Sequence, residues 1–474
     1  METPEYSCFV AGKKIQSSQK LTIKSPFDGK IAGYVSQANR SHVEEAIVGG
    51  LSNTKKLSRY ERYEIIEKTR KLLTERKEEF ARTITSESGL CIRETRYEVG
   101  RAHDVLLFAA MECLKDDGQI FSCDISPTGK QRKIFTMREP LNLAVAITPF
   151  NHPLNQVAHK IIPAITAGTP IILKPSEKTP ITAIKFAELL FEAGLPENML
   201  SVLLGPTTEV AETLVTDPRI DLVSFTGSVA VGKRIAEKAG YKKIILELGG
   251  NDPIIILEDA DLELAVQLAA EGAYRNSGQR CTAVKRILVH EKIEAEFTKR
   301  LIDKTYEYGC GDPFDEATRV GTVIDEGAAT YLEQVVADAV SHGAVVLHGG
   351  KRNGALLEPT VINQVPRTCK MVVQESFGPL APIITIKSLD DAIQLTNSTS
   401  FGLSSAIVTT HMPSILQAVR ELKVGTVNVN EVPGYRIENS PFGGIKDSGL
   451  GIKEGVIEAI KCFSFVKTFS LPWS

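Results

Sequence analysis

The chain has 474 residues, more than one ordinary hydrophobic core holds, so two or three domains are expected. Hydrophobic residues make up 43% and charged residues 24%, the mix of a soluble globular protein. A formal charge of -3 leaves no overall basic footprint for nucleic acid or anionic lipid, so any basic site must be local.

The opening run Met1-Glu2-Thr3-Pro4-Glu5 has no basic stretch followed by an apolar one, so no signal peptide is expected. No stretch approaches the ~20 apolar residues that span a bilayer. A cytoplasmic protein without membrane attachment is the expectation. Residues 43 to 115 read mostly as helix. In Tyr60 to Leu73 the apolar positions recur at steps of three and four, with charges between them. Ile134-Phe135-Thr136-Met137 alternates as a half-exposed strand does. From Leu141 the pattern becomes alternating strand and helix. Strands are predicted at 142–147, 171–173, 200–204, 221–225 and 243–246, with helices near 153–167 and 181–193. The strands lack polar alternation, as in a parallel sheet covered on both faces. The order βαβαβ implies a right-handed nucleotide-binding architecture. A second α/β segment follows from Ile254 to about Gly444, with strands at 254–257, 286–289 and 382–386. The tail Phe463 to Phe469 alternates again, and places Phe463, Phe465 and Phe469 on one face with Leu471.

Eight cysteines are scattered at Cys8, Cys91, Cys113, Cys123, Cys281, Cys310, Cys369 and Cys462. None forms a CxxC pair, so no metal site and no redox pair are expected. Most should be plain buried thiols. Cys281 is different: it ends the polar, glycine-containing run Asn276-Ser277-Gly278-Gln279-Arg280, which cannot be the middle of an apolar stripe. That puts the thiol on a loop, where reactive groups tend to sit, and Arg280 beside it would favour the thiolate. Glu247 ends an Ile/Leu strand in Leu246-Glu247-Leu248-Gly249-Gly250-Asn251-Asp252-Pro253. Poor solvation there should raise its pKa toward that of a useful base. The ordinary alternatives are a core cysteine and a glutamate turned to solvent.

Together the two segments resemble the signatures of the aldehyde dehydrogenase superfamily. The glutamate signature matches from Leu246 to Pro253; the cysteine signature matches with Tyr274 where Phe is commoner. Thr148-Pro149-Phe150-Asn151, Leu173 to Glu177, Phe225 to Ser228, Glu375 to Pro379 and Pro441 to Gly444 follow the family's order, so the resemblance covers essentially the whole chain. It implies an α/β fold with a parallel-sheet nucleotide-binding domain (1–117 and 138–248), an α/β catalytic domain (249–447) and a small β oligomerisation element (118–137 and 448–474).

The resemblance also implies roles. Cys281 is the nucleophile, Glu247 the base, and Asn151 an oxyanion donor together with the Cys281 amide. NAD, and more weakly NADP, is expected at Thr148, Phe150, Lys174, Ser176, Glu177, Gly227, Ser228, Val231, Leu248, Glu375 and Phe377. There is no G-x-G-x-x-G; Gly227 and the first turn at Ser228 would offer amides to a pyrophosphate instead. Arg101, His152, Arg280 and Phe442 are expected at the substrate mouth. Three cationic or potentially cationic residues in a chain of negative net charge imply an anion to meet them. Phe150 to Gln156, with Arg101 and Arg280, resembles the phosphonoacetaldehyde dehydrogenase branch, so the expected substrate is a small anionic aldehyde such as phosphonoacetaldehyde. Glyceraldehyde-3-phosphate and lactaldehyde are the alternatives. A coenzyme A-acylating enzyme is disfavoured by Glu247. A non-catalytic structural protein of the same fold is disfavoured by Cys281, Glu247 and Asn151 together. The family's dimer interface implies a homodimer or homotetramer.

Overall fold

The computed structural model describes residues 3–15, 17–53, 56–451 and 454–473. Met1 and Glu2, on which the signal-peptide expectation draws, and Ser474 of the tail lie outside the described residues. The helical region resolves into Arg40–Leu51, Arg59–Glu75, Lys77–Ser88 and Ile92–Cys113. In Arg59–Glu75 a capping box starts the helix. Ser58 accepts from the Glu61 amide and Glu61 reaches back to the Ser58 amide, satisfying two otherwise orphan donors. Ile65, Ile66, Thr69 and Leu73 form its buried stripe. No helix among the described residues is long and apolar enough to cross a membrane.

The first large sheet holds five parallel strands: Ala144–Ile147, Ile171–Lys174, Leu200–Val202, Leu222–Thr226 and Lys243–Glu247. Phe9–Val10 and Lys13–Lys14 extend one edge antiparallel. The chain winds from Ala144–Ile147 outward in one direction and then in the other, so the switch point lies between that strand and Leu222–Thr226. Ligands of such sheets bind outside the carboxyl ends of the strands at that point. The second sheet is also wound both ways: Leu380–Ile386, Arg286–His290, Pro253–Ile256, Ser404–Val408 and Thr426–Val429 lie side by side in parallel. Leu248–Asp252 is the whole connection between the sheets. The carboxyl end of the first therefore meets the amino end of the second.

Buried carboxyls lock the helices that frame this seam. Glu98, in Ile92–Cys113, accepts from the amides of Leu154 and Asn155 at the start of the helix Asn155–Ala167. That fixes the Asn151–His152 turn against the helix that carries Arg101 one turn later. Glu87 caps Pro180–Ala193 in the same way.

Two expectations are corrected. The strand Arg132–Pro140 crosses the expected boundary at 137/138 and pairs along its length with Ser464–Pro472. Phe463 does not share the tail's exposed face: it precedes that strand, is 1% exposed, and packs into the nucleotide-binding core. Its carbonyl accepts from Leu141 and Thr169, which holds it inward. Phe465, Phe469 and Leu471 are exposed as expected.

Candidate active site

Cys281 sits at the seam, on the loop before Arg286–His290. The loop is strained: Asn276 (φ 57), Ser277 (φ 52) and Gly278 (φ 68) are all left-handed. A Cβ on Gly278 would lie 2.1 Å from the Gly378 carbonyl, so only glycine admits the 375–378 segment this close. Asn151 holds the loop from the other side. Its Nδ2 donates to the Gln279 carbonyl at 2.7 Å, while Asn276 Nδ2 donates to the Asn151 carbonyl at 3.0 Å. One Asn151 N–H is thus committed and the other is available. Burial pushes the Cys281 thiol up to about 11; Lys285 and Arg436 pull the other way. Arg280 interacts favourably with the Cys281 thiolate as expected, though less than Lys285 and Arg436 do; its NH2 group donates to the carbonyls of Glu271 and Gly272 at 3.2 and 2.7 Å.

Glu247 ends the edge strand Lys243–Glu247, 4% exposed, with the Gly444 amide facing its carboxyl and no side-chain hydrogen bond to it among the described residues. Burial, then the neighbouring Glu454 carboxylate, raises its pKa well above the ordinary range. Glu454 is itself buried, yet Lys160 at 3.2 Å and Arg436 outweigh that burial and keep it charged. Lys160 also donates to Ser224. A carboxyl whose pKa is raised, beside the Glu454–Lys160 pair, suits a base that takes up a proton and passes it on.

The residues expected to hold a dinucleotide gather at the carboxyl edge of the first sheet. The Thr148 and Thr226 hydroxyls are buried there without hydrogen-bond partners among the described residues. Ser228 begins the helix Val229–Ala239 with no side-chain cap, so its first-turn amides are open to an anion. Gly232 lets that helix close on Leu248, where a Cβ would lie 2.4 Å from Leu248 Cδ2; Val231 is exposed. Lys174 is buried and lies 3.3 Å from the more exposed Glu177, and Ser176 accepts from the Lys178 amide. Across the seam, Glu375 accepts from the Gly250 amide at 3.1 Å, and Phe377 meets Phe150 edge-on at 6.0 Å. Orphan hydroxyls, an uncapped helix start and two carboxylates fit the hydroxyl-rich, anionic shape of a dinucleotide.

A cavity of about 390 Å³ opens onto Cys281 and is lined by Arg101, His152, Arg280, Arg436 and Phe442. A model of the aldehyde dehydrogenase family matches residues 14–469. The chain belongs to that family. It is 39% identical over 463 residues to a 3-sulfolactaldehyde dehydrogenase of Priestia aryabhattai, covering 97% of this chain and 96% of the relative. It is 35% identical over 455 residues to a sulfoacetaldehyde dehydrogenase of Neptuniibacter caesariensis, covering 95% and 99%. It superimposes with a TM-score of 0.96 and 32% identity, over 100% of both chains, on an NADP-dependent glyceraldehyde-3-phosphate dehydrogenase of Bacillus halodurans C-125 complexed with NADP.

The structure brings the expected mouth residues of this aldehyde dehydrogenase together but corrects their charges. Arg101 Nε lies 2.5 Å from Glu438 Oε1, and Glu438 Oε2 lies 2.5 Å from His159 Nε2. The anion inferred from the local excess of positive residues is thus partly supplied by the protein itself. Burial, reinforced by Arg101 and Arg280, drives the His152 pKa well down, so that imidazole is neutral. Arg436 was missed from sequence. It lies 3.9 Å over the Phe442 ring, and its buried NH1 is 3.9 Å from Glu454 Oε2, with no hydrogen-bond partner among the described residues. Glu438, Glu454 and Lys160 were missed as well. Lys160 carried a signal, a charge beside Ile161-Ile162 in a helix otherwise fit for burial; the others had none nearby.

Proposed function

We propose that the protein oxidises a small aldehyde with a terminal anionic group to the carboxylic acid, with NAD or NADP as cofactor. The observation that carries this reading is the cavity onto Cys281, whose lining includes Arg101, Arg280 and Arg436. Arginine suits sulfonate, phosphonate or phosphate because its planar fork donates in pairs. Relatives named for sulfolactaldehyde and sulfoacetaldehyde support an anionic tail. Phosphonoacetaldehyde shares its size and charge.

Cys281 thiolate attacks the aldehyde carbon, and the free Asn151 N–H with the Cys281 amide steadies the oxyanion. The bound cofactor supplies the hydride acceptor that makes the next species a thioester. Glu247 then takes a proton from water, which attacks the thioester and frees the acid. Glu454 and Lys160 give that proton an exit. Lys174, Ser176 and Glu177 hold the adenosine end, Gly227, Ser228 and Val231 the pyrophosphate, and Glu375 the nicotinamide ribose.

The test is a panel of phosphonoacetaldehyde, sulfolactaldehyde, glyceraldehyde-3-phosphate, lactaldehyde and propanal ranked by kcat/KM, run beside Cys281→Ala and Glu247→Gln. Anionic members should exceed propanal by at least about ten-fold, as one charge-assisted contact allows. Cys281→Ala should be inactive. Glu247→Gln should keep a first-turnover burst of reduced cofactor and lose steady-state turnover. Propanal ranked first would overturn the anionic substrate, and an active Cys281→Ala would overturn the mechanism.

A further inference from the structure

Lys285 opens the second sheet's central region, four residues beyond Cys281, with a side chain 2% exposed. A lysine so deep needs charge and hydrogen bonds to offset its desolvation. Its Nζ donates to the Cys281 carbonyl at 2.6 Å and the Arg280 carbonyl at 2.9 Å, and lies 3.3 Å from Glu375 Oε1. Its own amide donates to the Asp252 carbonyl at 3.0 Å. A Cβ on Gly250 would lie 2.6 Å from the Cys281 carbonyl, so the 249–252 segment presses on the same point. The Lys285 ammonium joins the thiol loop to the segment that carries Glu375, and its backbone amide ties both to the connection after Glu247.

We propose that Lys285 is a positioning residue for the reaction, fixing the Cys281 carbonyl to the Glu375 carboxylate and placing a cationic side chain beside the thiol. This rests on Cys281 being the nucleophile. Among the charged groups facing the thiol, Lys285, Arg436 and, more weakly, Arg280 favour the thiolate, while Asp252 and Glu375 oppose it. Removing Lys285 leaves the two carboxyls opposed only by Arg436 and Arg280. It also frees two carbonyls that turn the loop toward the cavity. A lysine that only satisfied those carbonyls would leave the titration of Cys281 where it is.

The experiment follows alkylation of Cys281 by iodoacetamide in the full-length, cofactor-free protein, read by mass spectrometry on the Cys281 peptide across neutral and alkaline pH. Lys285→Met should alkylate about ten-fold more slowly below the thiol's midpoint, the consequence of a shift of about one unit. Glu375→Gln, which removes the opposing carboxylate, should alkylate faster. Where Lys285→Met lacks a cooperative melt, Glu375→Gln alone decides. A wild-type rate in the folded Lys285→Met protein, or in Glu375→Gln where that variant decides, overturns the proposal. Turnover by Cys281→Ser at the wild-type rate would instead overturn the nucleophile assignment, a result independent of the alkylation rates.

Discussion

Replacing Arg101 by Met should weaken the protein in two separable ways. The Arg101 and Glu438 side chains are 21% and 5% exposed and meet at 2.5 Å. Arg101, with His159 and Arg436, holds the Glu438 carboxylate far below its usual range against the opposing effect of burial. Losing Arg101 strands that charge. Breaking a buried pair costs about 3–5 kcal/mol, and the low end, about 3 kcal/mol, applies because His159 and Arg436 still face Glu438. The second loss is a contact to the substrate's anion, about 1.5–3 kcal/mol, or roughly ten- to a hundred-fold in kcat/KM. Adding Glu438→Gln separates the two. The double variant should recover most of the denaturant midpoint but none of the kcat/KM for phosphonoacetaldehyde or sulfolactaldehyde, while propanal turnover stays near wild type in both. An equal fall for charged and neutral aldehydes would refute Arg101 as an anion contact. An unrecovered midpoint in the double variant would refute the stranded charge as the source of instability.

The protein should prefer NAD, since the Glu177 carboxylate repels an added ribose phosphate. Glu177→Gln should move the kcat/KM ratio toward NADP, and a wild type favouring NADP would contradict the assignment. The exposed row Phe465, Phe469 and Leu471 lies on the edge strand Ser464–Pro472, which invites a second subunit. Light scattering should therefore give a dimer or tetramer; Phe469→Glu should shift it toward monomer, and a monomeric wild type would refute this. Burial raises Glu98 from 4.5 to about 7. The stability of the neutral acid is complete below the unfolded pKa and is lost as pH rises through about 7. The stability advantage of wild type over Glu98→Gln should accordingly shrink across that window, by about 3 kcal/mol at most. A pH-independent difference would rule this out.

Local order carried much of the reading. Strands without polar alternation identify a sheet covered on both faces, and Ala144–Ile147 is buried at every position. Glu247 and Cys281 were legible because each breaks a local pattern: a carboxyl at the end of an apolar strand, and a thiol after a polar run. Such contrasts occupy a few consecutive residues and need no partner to be seen. Charge pairing is different. Arg101 and Glu438 are 337 positions apart, and Lys160 and Glu454 are 294 apart, so composition alone made the basic residues look unopposed. The same holds for Phe463, whose alternation with Phe465 suggested a shared face until its carbonyl was found held by Leu141 and Thr169. The sequence by itself determined the elements and singled out the two candidate reactive groups, because covalent neighbours set periodicity and solvation at strand ends. Only the tertiary structure decided which charges are neutralised, that His152 is uncharged, and that Lys285 and Arg436 face the thiol. Electrostatic energy depends on distance and burial in space, and the fold alone sets both.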